Sequence, residues 1–189
     1  MAFQAGFFMD AFLEKYTPFI DAYLEVSTQE SHAKKTLLLR EGMICHKLYF
    51  IKKGILRFFY YNEAGEDITH LFLFEHDFIT EIDSFFFGKK SEFYMEVIED
   101  CELYSIDHKA YQTLINREPE ILQLLNAISL KFLVRLGEKI KDLQFRDART
   151  RYRNLLDQHP DILNRVALGH IASYLGITQQ SLSRIRKQK

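Results

Sequence analysis

The chain has 189 residues, 47% of them apolar with 17 Phe and 10 Tyr, which is enough for one large or two modest folded domains and excludes disorder. Its net charge of −1 hides a division: residues 131–189 hold 13 Lys+Arg against 5 Asp+Glu, and residues 1–130 hold 12 against 21, so the C-terminal part suits a polyanion that the rest would repel. With neither a basic leader before an apolar run nor an uninterrupted apolar window of about 18 residues, the expectation is a cytoplasmic protein with no membrane partner.

From the N-terminus, Phe7 to Leu24 places Phe8, Phe12, Tyr16, Phe19, Ile20 and Tyr23 at helical intervals and reads as one or two helices interrupted at Pro18. The period changes at Lys35. Thr36–Leu39, Lys47–Lys52, Ile55–Tyr61, Asp67–Phe74, Tyr94–Ile98 and Glu102–Ile106 are short runs rich in Ile, Phe, Tyr and Leu, separated by glycine-bearing or acidic turns. Such spacing predicts an antiparallel sandwich or roll. Helical period returns in a short helix around Tyr111 to Ile115, then in the longest helix, about Glu118 to Gln144, with Ile121, Leu125, Ile128, Phe132, Leu136, Ile140 and Leu143 at spacings of three and four. At nearly 40 Å this helix outreaches a small roll, so part of the stripe is expected to be a parallel dimer seam. A further helix, Ala148 to Gln158, carries Arg149, Arg151 and Arg153 and is closed by Pro160.

The ending, Ala167 to Lys187, reads as a helix-turn-helix. The first helix buries Ile171, Ala172 and Leu175, Gly176 supplies the positive-φ turn, and Ile177 plugs the corner. Thr178 caps the second helix, whose Leu182 and Ile185 face inward while Gln179, Gln180, Ser183, Arg184 and Lys187 face out. Amides, a hydroxyl and a guanidinium on one exposed face suit base edges and phosphates. The two cysteines, Cys45 and Cys101, and seven histidines without paired ligand spacing predict no metal and no cofactor.

This order of parts resembles the Crp/Fnr superfamily of bacterial transcription regulators over essentially the whole chain. Arg151-Tyr152, the run Ile171 to Thr178, and Leu182-Ser183-Arg184-Ile185-Arg186 are similar to the reader motif of its Bacteroidetes-type members. The resemblance implies an α+β fold: an antiparallel β-roll of the cyclic-nucleotide-binding type (a double-stranded β-helix) with a leading helix over residues 1–117, a dimerisation helix and hinge over 118–146, and a helix-turn-helix domain over 147–189. It implies a homodimer on duplex DNA, with RNA polymerase as a further partner. Gln179, Gln180 and Arg184 take the base-contacting positions, with Thr178, Ser183 and Lys187 beside them. The chain ends a few residues after this helix, and a reader without the family's β wing is expected.

In relatives that bind cyclic nucleotides, a Gly-Glu step takes the ribose and an Arg-Ser or Arg-Thr step holds the phosphate. Here Glu81 is kept, glycine has become Thr80, and the phosphate step falls on Ser91-Glu92, preceded by Lys89 and Lys90. A carboxylate beside a phosphate is unfavourable, so cyclic-nucleotide binding is not expected. Another effector, an aromatic pocket from Phe85 to Phe87, or no ligand remain alternatives. A second class is a cupin-like small-molecule-binding protein or enzyme whose C-terminal helices serve assembly, but only His70 and His76 fall near one another, without metal-ligand spacing. No catalytic constellation stands out, and the chain is not expected to be an enzyme.

Overall fold

The computed structural model describes the backbone of residues 5–187 and side chains from Lys15 onward. Helix α1 (Ala5–Val26) runs through Pro18 without a break. A proline removes one helical hydrogen bond, but Ile20 and Tyr23 one turn further are buried in the core, and the Tyr23 hydroxyl donates to Leu48 O at 2.7 Å. That anchorage outweighs the missing bond. The apolar positions expected at Phe7, Phe8 and Phe12 lie outside the described side chains.

Eight strands follow: β1 (Thr28–His32), β2 (Leu37–Leu39), β3 (Lys47–Lys53), β4 (Leu56–Tyr61), β5 (Asp67–Leu73), β6 (Phe78–Ile79), β7 (Tyr94–Val97) and β8 (Cys101–Asp107). They form two antiparallel four-stranded sheets, ordered β1-β8-β3-β6 and β2-β7-β4-β5. Six strands match the apolar runs. β1 and β6 do not, because β1 is a polar edge strand, Thr-Gln-Glu-Ser-His, and β6 has only two residues. The sheets close over Tyr49, Ile51, Leu56, Phe58, Leu71, Leu73, Met95, Val97 and Leu103. Gly54 (φ +101°) makes the β3–β4 turn, where any Cβ would collide with the Cys101 sulfur.

Six helices occupy the rest beyond a short α2 (Ile82–Phe87): α3 (His108–Arg117), α4 (Ile121–Phe145), α5 (Ala148–Gln158), α6 (Ile162–Arg165), α7 (Leu168–Tyr174) and α8 (Gln179–Lys187). Helix α4 differs from expectation in how it uses its faces. Of the stripe expected to form part of a seam, Ile121, Leu125, Ile128 and Phe132 pack on this chain's own roll and helices, whereas Ile140 and Leu143 are 55% and 48% exposed. The free face is opposite: Leu130, Leu133, Val134 and Ile140 are 55–68% exposed around Gly137. A long amphipathic helix with two apolar faces carries two periodic stripes, and spacing alone does not say which one the roll takes.

The roll also uses α4 to close an open edge. β5 ends its sheet, so alternate carbonyls lack a strand partner. Arg135 donates to Phe72 O and Lys139 to His70 O. Four helical residues rise about 6 Å and two strand residues about 6.8 Å, so cations at i and i+4 meet carbonyls at j and j−2 with the helix antiparallel to the strand.

Candidate nucleic-acid interface and sensor region

The helix-turn-helix is built as its sequence requires. Ile171, Ala172 and Leu182 are at most 1% exposed, and Gly176 turns the chain at φ +67°, its N–H donating to Ser173 O at 3.0 Å. The Thr178 hydroxyl accepts from Ser181 N at 3.2 Å and caps α8. Thr178, Gln179, Gln180, Arg184 and Lys187 are exposed and Ser183 is half-buried, so the six named residues stand on a face supported from beneath by Leu182. Arg151 ties this unit to the end of α4: its Nε donates to Leu175 O at 3.0 Å and its Nη1 to Arg146 O at 2.7 Å.

Sequence reasoning missed the surface on which this unit rests. Leu155, Ile162, Val166, Ile171, Ala172, Leu175 and Leu182 share one apolar core with Ile55, Phe72, Phe74 and Ile98 of the roll. The Ser173 hydroxyl accepts from Thr69 N at 2.7 Å, and the His159 ring stacks on Phe74 with centroids 3.7 Å apart. Arg165 reaches Glu75 at 3.2 Å and Glu99 at 3.1 Å. Burial pushes the His159 imidazole down to about 4, with Arg135 adding to the effect. The Glu75 carboxyl is lowered despite its burial, because Arg165 and the Gly54 amide hydrogen-bond to it. These pairs lie 66–104 residues apart in sequence, and no local pattern marks them.

In the sensor half, the expected effector residues serve the roll itself. Thr80 is buried and donates to Lys47 O at 2.9 Å. Glu81 accepts from Ser84 N at 2.8 Å as the N-cap of α2. Ser91 is buried and exchanges hydrogen bonds with the backbone of Phe93 at 3.0 and 3.1 Å. Lys89 pairs with Asp83 at 3.0 Å on the surface, while Lys90 and Glu92 are exposed. Phe85 to Phe87 form no common pocket: Phe85 is buried against Tyr111, and Phe87 is 70% exposed. Aromatic side chains fill the space inside the roll instead, with Phe93 within 6.1 Å of Phe58 and Tyr60 and 5.1 Å of His70, and Phe132 packed on the same core.

A closed antiparallel roll, a long helix along its edge and a helix-turn-helix docked beyond it make up an architecture similar to that of the Crp/Fnr transcription regulators. Residues 29–118 match the family described as cyclic nucleotide-binding domain. The chain is 27% identical over 180 residues to the cAMP-activated global transcriptional regulator CRP of Escherichia coli, covering 90% of this chain and 86% of that one. It is 29% identical over 119 residues to the anaerobic regulatory protein of Bacillus subtilis, covering 62% and 50%. In fold it is similar to the c-di-GMP-responsive global regulator CLP of Xanthomonas campestris, with TM-score 0.73 and 21% identity over 91% of this chain and 90% of that one. FixK2 of Bradyrhizobium japonicum gives TM-score 0.74 at 18% identity, covering 86% and 83%. CRP, the anaerobic regulatory protein and CLP all carry regulator names. No described helix is long and apolar enough to cross a membrane.

Proposed function

We propose that this chain is a cytoplasmic, homodimeric regulator that binds duplex DNA sequence-specifically through α8, and that its roll does not take cyclic nucleotides. The observation that carries the reading is the exposed set Gln179, Gln180 and Arg184 on a helix anchored from beneath by the fully buried Leu182. Amide pairs favour adenine and guanidinium favours guanine in the major groove. The free face of α4 supplies the dimer seam, and two readers would meet half-sites about 34 Å apart. Functional divisions at 1–117, 118–146 and 147–189 follow: sensor-like roll, dimer helix with hinge, and reader. RNA polymerase would be the partner on the promoter, and any effector is a molecule other than a cyclic nucleotide. Selection of binding sites from random duplexes, with sedimentation of the purified protein, tests this. A recovered near-palindrome bound by a dimer is expected; a monomer at micromolar concentration with and without DNA, or no enriched sequence, overturns it.

A further inference from the structure

Four consecutive residues between β5 and β6 each hold a different part of the molecule. The Phe74 ring lies under His159 of α5's C-terminal end. Glu75 bonds Arg165 of α6 at 3.2 Å and the Gly54 amide at 3.0 Å. His76, at φ +68°, donates its N–H to Ile51 O of β3 at 2.8 Å. Asp77 accepts from Lys131 at 3.1 Å and Arg135 at 3.2 Å, both on α4, and from Phe74 N at 3.1 Å.

Asp77 is the centre of this arrangement. Its side chain is 11% exposed, and a carboxylate that far from water needs its charge answered. Two cations from the long helix answer it, and its second role, the bond to Phe74 N, shapes the turn that presents Phe74 and Glu75 to the helix-turn-helix unit. Arg135 completes the link: beyond Asp77 it reaches Phe72 O and lies 5.9 Å from the Phe74 ring. A movement of α4 relative to the roll therefore acts on the same turn whose Phe74 and Glu75 seat the C-terminal unit.

We infer that the turn Phe74–Asp77 is the junction that sets the reader's position relative to the long helix, with Asp77 as its positioning residue. The inference rests on the DNA-binding reading for its consequence but not for its geometry. Asp77→Asn keeps the shape and the bond to Phe74 N while removing the charge that holds α4. Arg135→Gln removes the same link from the other side at a half-exposed position.

The test uses the full-length dimer with paired spin labels at Glu63 on the roll and Asp157 on α5, together with affinity for the selected duplex. Both variants are expected to broaden the label distance and weaken specific DNA binding on the order of tenfold. The double variant should do less than the sum of the two single ones, because both break the Asp77–Arg135 bond although each also loses a partner of its own, Lys131 or Phe72 O, and Asp77→Glu should recover part of the affinity. Unchanged distances in both variants, or single effects that simply add, overturn the inference. If the wild-type protein binds no duplex, the DNA reading fails, and the distance measurements still decide the junction.

Discussion

Arg165 Nη1 stands 3.2 Å from a Glu75 oxygen while its Nε stands 3.1 Å from Glu99, so one guanidinium joins the helical unit to two separate turns of the roll. Hydrogen bonding to the two carboxylates raises the Arg165 pKa above its ordinary value. Arg165→Ala is expected to lower stability by about 1–3 kcal/mol, and high salt should lower wild-type stability more than that of the variant. Denaturant unfolding at two salt concentrations checks both; equal salt dependence would show the clamp to be idle.

The docked His159 ring titrates near 4, against about 6.5 in an unfolded chain. The unfolded state therefore takes the proton first. Stability from this contact is complete above pH ~6.5 and lost as pH falls towards 4, by up to about 3 kcal/mol. His70, beside Phe93 in the roll, and His170 on α7 are also lowered by burial and act in the same direction. His159→Phe keeps an aromatic ring on Phe74 and should remove a large part of the slope between pH 6.5 and 4, measured by denaturant midpoints. A slope identical to wild type would rule out this ring as its source. Glu75 has the lowered carboxylate pattern; its contribution is present above its unfolded value of about 4.3 and disappears only as pH falls below that, so the two windows separate.

The two faces of α4 predict opposite outcomes for neighbouring residues. Leu133 is 62% exposed in one protomer, and Leu133→Glu should leave the protomer folded but dissociate the dimer. Phe132 packs on the roll core, and Phe132→Ala should cost roughly 2–4 kcal/mol of stability while the dimer persists. Sedimentation and thermal melts on both variants distinguish them, and a dimeric Leu133→Glu protein would disprove the assignment of this face.

On α8, Arg184→Ala should weaken and relax recognition at one base position by roughly 1–3 kcal/mol, whereas Lys187→Ala should lower affinity for all sequences alike and reduce the salt slope by about one. Competition binding with single-base operator variants reads the difference. Equal loss on specific and random DNA for Arg184→Ala would remove it as a base reader.

Titration calorimetry with cyclic AMP and cyclic GMP should show no binding. Thr80, Glu81 and Ser91 already spend their polar groups on the roll's backbone, and no arginine lies between Phe78 and Phe93 to pair a desolvated phosphate. A dissociation constant in the low micromolar range would refute this.

Local chemistry made much of this protein legible from residue order alone. The helix-turn-helix could be read because its elements are contiguous: a small Ala172, a positive-φ Gly176, a Thr178 cap and the i, i+3 pair Leu182 and Ile185 all fall within 14 residues. Six strands were visible for the same reason, since short runs rich in Ile, Phe, Tyr and Leu end at turn residues. The departures at Thr80 in the ribose step and Glu92 in the phosphate step are visible in residue order alone.

Tertiary structure decided what depends on distance in space. The polar edge strand β1 exists because β8 pairs with it, not because its own residues prefer a strand. Which stripe of α4 meets the roll was decided by Asp77, His70 O and Phe72 O, which receive Lys131, Lys139 and Arg135 and so turn Leu130, Leu133 and Val134 outward. The seat of the reader on the roll came from Phe74, Glu75 and Thr69 meeting His159, Arg165 and Ser173. Periodicity reports that a side chain will be buried. Only the folded chain selects its partner, because the burial of apolar area is nondirectional, whereas the hydrogen bonds and ion pairs that choose among faces require particular groups to arrive together.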